Sequence, residues 1–397
     1  MDEIEIPSQF LCPISMQLMR DPVIVATGMT YDRESIEKWL FTCKNSTCPM
    51  TKQELQSTDL TPNHNLRRLI QAWCTLNSSN GIERIPTPKP PVEKSQILKL
   101  INEAKNSTNT QTKCLQRLRS ISEGSQSNRK SLEAAGAVEF LASIIEKNDE
   151  ACDEALNLLY HLDASDADLK KLMSDDGKFA ETLMPVLKCG SCQSRAYAIM
   201  MLKSAFRVAD PVQLMTAKPE IFIEIVHILK DQISQQASKA ALKLLVDLSP
   251  WGRNRIKAIE AGAVLVLIEL LLDSSERRAS ELILTLLDQI CRTADGRAEL
   301  LKHGAGLAIV SKKIFRVSQV ASDRAVRILF SICKYSPTSR VLQEMLQVGV
   351  VAKLCLVLQV ENNQKTIARA KEILYLHARI WKDSPCIPPS LLSSYPA

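Results

Sequence analysis

Residues 10–74 read FLCPISMQLMRDPVIVATGMTYDRESIEKWLFTCKNSTCPMTKQELQSTDLTPNHNLRRLIQAWC, and the reading of this stretch decides the fold. Its order is loop, short strands, helix, loop, helix. Cys12-Pro13-Ile14 forms the first loop. Asp21-Pro22 marks a turn, and Val23-Ile24-Val25 with Gly28 reads as a short hairpin element. Asp32 can cap a helix from about Arg33 to Phe41, with Ile36 and Leu40 on one face at the i, i+4 spacing. Cys48-Pro49 opens a second loop. Pro62-Asn63 starts a last helix lined by Leu66, Ile70 and Trp73. Nothing later in the chain repeats this stretch, whereas everything later repeats itself.

The repetition starts near residue 97. The segments at 128–145, 254–271, 296–313 and 339–356 align on Gly136, Gly262, Gly304 and Gly349, with gaps of 126, 42 and 45 residues. Since 126 is three times 42, two further lattice points are expected, at Gly177 and at Lys218-Pro219. Each period carries a short helix ending at the glycine, as a left-handed C-terminal residue demands, then an apolar helix, a loop and a longer amphipathic helix. A period of 40–47 with two or three helices indicates an armadillo or HEAT solenoid, and the short first helix favours armadillo. Six repeats are expected, preceded by a partial capping repeat. Stacking supplies the core that one repeat cannot build alone, so the leucines need no ligand to explain them.

Between the two parts lies TLNSSNGIERIPTPKPPVEKS, with Gly81 and Pro86, Pro88, Pro90 and Pro91. Such a run favours a semi-rigid extended spacer that separates two domains without fixing their angle. The expected organisation is therefore 5–79, a linker at 80–96, a solenoid at 97–382 and a disordered tail at 383–397.

Net charge is +6, unevenly placed. Residues 1–80 hold 7 Lys/Arg against 9 Asp/Glu, and the rest holds 43 against 35. The basic residues are spread along helices, as solvated faces are; a mildly basic groove for acidic or phosphorylated partners is the sharper alternative. Nucleic-acid binding needs a denser stripe or stacking aromatics, and neither is present. No run of eighteen apolar residues occurs, so no transmembrane segment is expected. The acidic start MDEIEIPSQ lacks the apolar stretch of a signal peptide. Twelve cysteines scattered on apolar helix faces favour a reducing, intracellular compartment.

The 65-residue stretch resembles the U-box, the zinc-free relative of the RING finger found in E3 ubiquitin ligases. The resemblance is carried by Phe10, Cys12-Pro13-Ile14, Leu18-Met19, Asp21-Pro22-Val23, Gly28, Thr30-Tyr31-Asp32-Arg33, Ile36, Trp39-Leu40, Cys48-Pro49, Leu60, Pro62-Asn63, Leu66 and Ile70 in one register. Its wording is most similar to the plant branch that joins a U-box to armadillo repeats. The fold class so implied is mainly α: a small α+β U-box followed by an α-solenoid.

The resemblance implies an E3 ubiquitin-protein ligase, cytoplasmic and in some members nuclear, often active in stress and defence signalling. Its partners would be a ubiquitin-charged conjugating enzyme on the U-box and a protein substrate on the armadillo groove. No cofactor, metal or catalytic residue is implied, and self-association is left open. The family's contact positions for the conjugating enzyme match Ile14, Trp39 and Pro49, with Met16 as an addition. Lys52 stands where some members carry an arginine that bridges conjugating enzyme and ubiquitin. Lysine keeps the charge and loses the planar fork.

Rival chemistries are weak. A zinc RING needs eight paired ligands; Cys12, Cys43, Cys48, His64 and Cys74 are too few and unpaired. The resemblance implies that salt bridges and hydrogen bonds take the metal's place, with Asp21, Arg33, Glu34 and Lys44 as contributors. Cys189-Gly190-Ser191-Cys192 lies between solenoid helices with no strand beside it, so it reads as a structural loop. A covalent ubiquitin intermediate on Cys43 or Cys48 lacks a His/Asp arrangement. Two other functions remain for comparison: a non-catalytic adaptor, and a nuclear-import receptor. The latter is set aside because Asp247 and the absence of a Trp ladder depart from its pattern.

Overall fold

The computed structural model describes residues 6–43, 45–78, 92, 94–174, 178–361 and 363–382. Gly177, most of the proline-rich stretch and the expected tail lie outside them. The chain divides into two compact units, 1–140 and 141–397, and the boundary falls inside the helix Ala137–Lys147.

The first unit opens with three strands in the order β2-β1-β3: β1 (Pro22–Ile24), β2 (Thr30–Asp32) and β3 (Thr61–Pro62), all antiparallel. Val23 sits opposite Tyr31 on one side and Pro62 on the other. The β1–β2 connection turns at Gly28, whose φ of +80° suits glycine. Helix α1 (Arg33–Glu37) continues as a wider turn over Lys38–Thr42, where the Cys43 N–H bonds to the Lys38 carbonyl five residues back. Helix α2 (His64–Leu76) is capped by Asn63, whose side chain accepts from the Leu66 N–H. Val23, Tyr31, Ile36, Ile70, Met19 and Cys74 fill the core, and Phe10 meets Trp73 edge-on at 6.0 Å.

Asp32 occupies the N-cap position of α1 but does not cap it. Its carboxylate instead accepts from the N–H groups of Arg20 and Asp21, at 2.8 and 2.9 Å. The loop before β1 has two adjacent donors to satisfy, and it wins the carboxylate.

The same unit holds helices α3 (Lys94–Asn106), α4 (Thr108–Gly124) and α5 (Gln126–Ala134). A spacer that leaves the angle free was expected. Here the Lys130 ammonium lies 3.4 Å from the Phe41 ring centroid, and the Gln126 N–H donates to the Glu37 carboxylate. A cation over an aromatic face is worth about 0.5–2 kcal/mol, enough to favour a contact that linker composition cannot reveal.

In the second unit the amphipathic third helices are Cys152–Leu162, Cys192–Val208, Gln235–Leu248, Arg277–Ile290, Gln319–Tyr335 and Gln364–Leu376. Their apolar faces are buried against neighbouring repeats. Ser191, Ser234, Ser318 and Asn363 cap four of them with side-chain oxygens. Cys189 and Cys192 are exposed free thiols, Cys189 ending the helix Met184–Cys189 and Cys192 opening the next one after the Ser191 cap, a structural position. Among the described residues, no single helix is long and apolar enough to cross a membrane.

The glycine lattice is real but not uniform. Gly136, Gly262 and Gly349 are left-handed, with φ of +76°, +82° and +76°. Lys218 is extended and Pro219 opens its helix, as a breaker should. Gly304, expected to be left-handed, is not. There the helix Ala294–Lys302 stops because His303 turns extended; its Nδ1 accepts from the Ala305 N–H, and its Nε2 lies 2.9 Å from Glu269. The imidazole takes over the work of the left-handed turn.

Gly262 and Gly304 both have open space where a Cβ would stand, so backbone alone separates them. Gly262→Ala should cost about 1–2 kcal/mol from the left-handed conformation, lowering the melting midpoint by roughly 2–4 °C per kcal/mol. Gly304→Ala should stay within about 0.5 kcal/mol of the wild type. Circular-dichroism melts of the two variants decide it; equal losses would refute the His303 account.

Candidate functional site: two Cys-Pro loops around a helix

The two loops are the same structure built twice. In the first, the Cys12 N–H donates to Gln17 C=O and the Met16 N–H to Cys12 C=O, both at 2.8 Å. In the second, the Cys48 N–H donates to Gln53 C=O at 2.8 Å and the Lys52 N–H to Cys48 C=O at 2.9 Å. Isolated bridges, Leu11 with Leu18 and Thr47 with Glu54, close the two bases. Met16 and Lys52 are both left-handed, with φ of 56° and 59°. The shared pattern is Cys-Pro-x-Ser/Thr-x-Gln, CPISMQ and CPMTKQ. It is a repeat inside the 10–74 stretch, and it was legible in the sequence.

The repeat also exposes a missed residue. Ile14 and Met50 hold the same third position. Ile14 is half-buried against the core, and Met50 is 55% exposed. Among the other expected positions, Met16 is 71% exposed and Pro49 half-buried. Trp39 is half-buried too, and its indole Nε1–H donates to Thr47 C=O at 2.8 Å. The Lys52 ammonium stands 5.9 Å from the Trp39 ring centroid. So Trp39 and Lys52 meet and Pro49 shares their loop. Ile14 and Met16 lie on the other loop, with Ile14 packed on the same core as Trp39.

Both cysteines are fully buried and act as acceptors. Cys12 Sγ accepts from the Asp32 N–H at 3.3 Å. Cys48 Sγ accepts from Thr27 Oγ1 at 3.2 Å and meets the Tyr31 hydroxyl at 3.1 Å. Burial pushes the Cys48 thiol up, but donation by Thr27, Thr51 and Tyr31 outweighs it and brings the pKa to about 6. Burial likewise drives Tyr31 well above the usual phenol range. The Tyr31 oxygen also accepts from the Met50 N–H at 3.1 Å, tying the second loop to β2.

Ion pairs brace the module. Arg33 Nε meets Asp21 Oδ2 at 2.6 Å, Arg67 reaches Asp21 at 3.8 Å, and Arg33 reaches Glu37 at 3.8 Å. Asp21 and Arg33 were expected; Arg67 and Glu37 were not, because their partnership depends on tertiary approach. Glu34, also expected, is exposed, and Lys44 lies outside the described residues. Burial raises the Glu37 carboxyl, against the opposing pull of Arg33. Among the described residues, no three His, Cys, Asp or Glu side chains converge as metal ligands.

A cross-braced α+β module of this kind, tied by hydrogen bonds and ion pairs and followed by three-helix repeats, is a U-box E3 ubiquitin-protein ligase. A U-box domain model matches residues 6–79, and a plant U-box protein ARM repeat region matches 96–397. The chain is 56% identical to the E3 ubiquitin-protein ligase PUB23 of Arabidopsis thaliana, over all of this chain and 98% of the relative. It is 52% identical to the E3 ubiquitin-protein ligase PUB22 of the same plant, over all of this chain and 99% of that one. A solved structure from a study of the cadherin–β-catenin interaction shares the fold, with a TM-score of 0.58 and 14% identity. That match covers 79% of this chain and 58% of the other. The chain belongs to the plant U-box proteins with armadillo repeats, and the adaptor alternative is not favoured.

Excess chelator should leave the circular-dichroism spectrum, the melt and self-ubiquitination unchanged; stoichiometric zinc with loss of fold on chelation would contradict the ion-pair brace. Asp21→Ala leaves Arg33 half-buried without its nearest carboxylate, and should destabilise the U-box by about 3 kcal/mol. A melt within a degree of wild type would show that the pair contributes nothing.

Proposed function

We propose that Ile14, Met16, Trp39, Pro49 and Lys52, together with Met50, form the docking surface for a ubiquitin-charged conjugating enzyme, and that the third helices of the solenoid recruit the protein substrate. The supporting observation is the pair of matched loops. Each is closed on its own buried cysteine, and each offers an apolar side chain at its third position. Trp39 is held at the base of the second loop by its bond to Thr47.

The mechanism is positioning. A conjugating enzyme brings ubiquitin as a thioester on its own cysteine, and the conjugate samples many open arrangements. A surface that binds the attack-ready arrangement better raises its population. Holding substrate on the same chain raises the effective concentration of the acceptor lysine. Cys48 has no exposed surface and cannot carry ubiquitin. Lys52 supplies a point charge over the ring of Trp39 without the paired hydrogen bonds of an arginine.

The reading places the protein in the cytoplasm, with access to the nucleus, and in stress or defence signalling. The free thiols support a reducing compartment; the signalling role rests on family resemblance. A fluorescent fusion found only in a secretory compartment would contradict the first.

Met50→Ala is the clean test, because half of its side chain faces solvent. It should weaken capture of the conjugating enzyme by about 1–3 kcal/mol; 2 kcal/mol is roughly thirtyfold. Its melt should match wild type. Ile14→Ala should lose at least as much activity with a small drop in melting temperature, since Ile14 also packs on the core. Self-ubiquitination across a panel of conjugating enzymes measures both. Full activity in both variants would remove the loops from the docking surface.

A further inference from the structure

The richest unassigned feature of the second unit is a cavity of about 390 Å³ on its third-helix face. Its walls come from three consecutive repeats. Asp288 lies on Arg277–Ile290, Arg327 and Tyr335 on Gln319–Tyr335, and Arg369 on Gln364–Leu376, while Arg292 and Arg297 follow the first of these helices.

The charge in the cavity is lopsided. Four guanidiniums line it, those of Arg292, Arg297, Arg327 and Arg369, against one lining carboxylate, Asp288; beside the lining, Arg324 pairs with Asp288 and Asp323 with Arg369. Asp288 is buried and takes Arg324 at 2.8 Å and Arg327 Nε at 2.9 Å, with Arg292 at 4.0 Å. Asp323 takes Arg369 Nη1 and the Thr366 hydroxyl, at 2.8 and 2.7 Å. Arg297 is buried; it donates from Nε to Ser336 Oγ and from Nη1 to Cys291 C=O, both at 3.0 Å. Arg297, Arg324, Arg327 and Arg369 are thus held by one edge and keep other N–H groups, while Arg292, half exposed, only approaches Asp288. Ordering cost has been met in the folded protein, so an incoming anion meets donors already in place.

We infer that this cavity is the recognition subsite for a phosphorylated serine or threonine in the substrate segment that lies on the third helices. The inference rests on the proposed recruiting role of the solenoid and names the chemistry that role requires. A phosphomonoester carries about −1.5 to −2 charge and three acceptor oxygens. That answers the three guanidinium charges left over by the two aspartates better than a single carboxylate does. The volume has room for one phosphorylated side chain. Tyr335, 62% exposed and stacked 5.1 Å from the Arg297 guanidinium, offers an apolar face for the residue beside it. At the rim, Lys334 pairs with Glu372 at 3.4 Å and adds no net charge.

The test uses the purified full chain, immobilised, and three degenerate peptide libraries that differ only at a fixed central residue: phosphoserine, serine or glutamate. The phosphoserine library should be retained about tenfold or more over either of the others, the gain expected of charge-assisted hydrogen bonds. Arg292→Gln should reduce that preference, and the double variant Arg292→Gln/Arg369→Gln should erase it, with thermal melts confirming that both fold. Equal retention of the three libraries overturns the phosphate subsite and leaves recruitment by the solenoid standing. A phosphoserine preference that survives in the double variant also overturns it. Retention of none of the libraries overturns it and counts against recruitment of linear segments by this face. Wild-type self-ubiquitination scores the U-box reading separately.

Discussion

Four consecutive residues, Thr30 to Arg33, hold the U-box together. Thr30 Oγ1 accepts from the side chain of Asn63, the residue that caps α2. The Tyr31 hydroxyl meets Cys48 and takes the Met50 N–H, so it governs the second loop. The Asp32 N–H donates to Cys12 in the first loop, and its carboxylate gathers the N–H groups of Arg20 and Asp21. Arg33 closes on Asp21 through both its side chain and its backbone N–H. One short strand and the first residue of a helix thus reach every other part of the module. Metal would do this with point bonds; here the same connectivity is spread over neutral hydrogen bonds and one short ion pair.

That substitution shapes the surface. Because each loop is closed internally on the backbone of its own buried cysteine, its third-position side chain is not needed to hold the loop together. Met50 is consequently free to project into solvent. Ile14 compromises between core and surface. Trp39 is pinned by its indole N–H, so the ring presents a defined face to Lys52. Loops constrained in this way by their own backbone would lose little entropy at the docking surface proposed here.

Much of this was legible from residues alone, and the reasons for the remainder are specific. Composition-independent markers carried the U-box, since Asp21-Pro22, Thr30-Tyr31-Asp32-Arg33 and the two Cys-Pro pairs each demand a local geometry. The solenoid followed from spacing, because stacking forces an equal period. The departures came where two local solutions compete for the same task. Asp32 could cap a helix or bind a loop, and only the folded distances choose. A turn at Gly304 could be made by glycine or by His303, and the sequence contains both. Arg67 and Glu37 join the ion-pair cluster through α2 and the buried face of α1, approaches that periodicity does not encode. The repeated Cys-Pro-x-Ser/Thr-x-Gln loop was different: it lay in plain view and needed only the comparison of one loop with the other.

The distribution of unusual chemistry along the chain follows from how such a ligase works. It performs no bond-making of its own, so it needs no exposed nucleophile and no activated base. The two U-box thiols whose pKa is lowered by hydrogen bonding, Cys12 and Cys48, are accordingly buried under their donors and serve architecture. Recruitment, by contrast, must discriminate among many surfaces, and apolar helix faces cannot do so because stacking has already consumed them. Discrimination is left to polar groups on the third helices, where charge can be concentrated without disturbing the stack. Arginines braced by Asp288 and Asp323 are the groups we propose for that demand: the aspartates keep the clustered guanidiniums from repelling the repeats apart, and a surplus of positive charge remains.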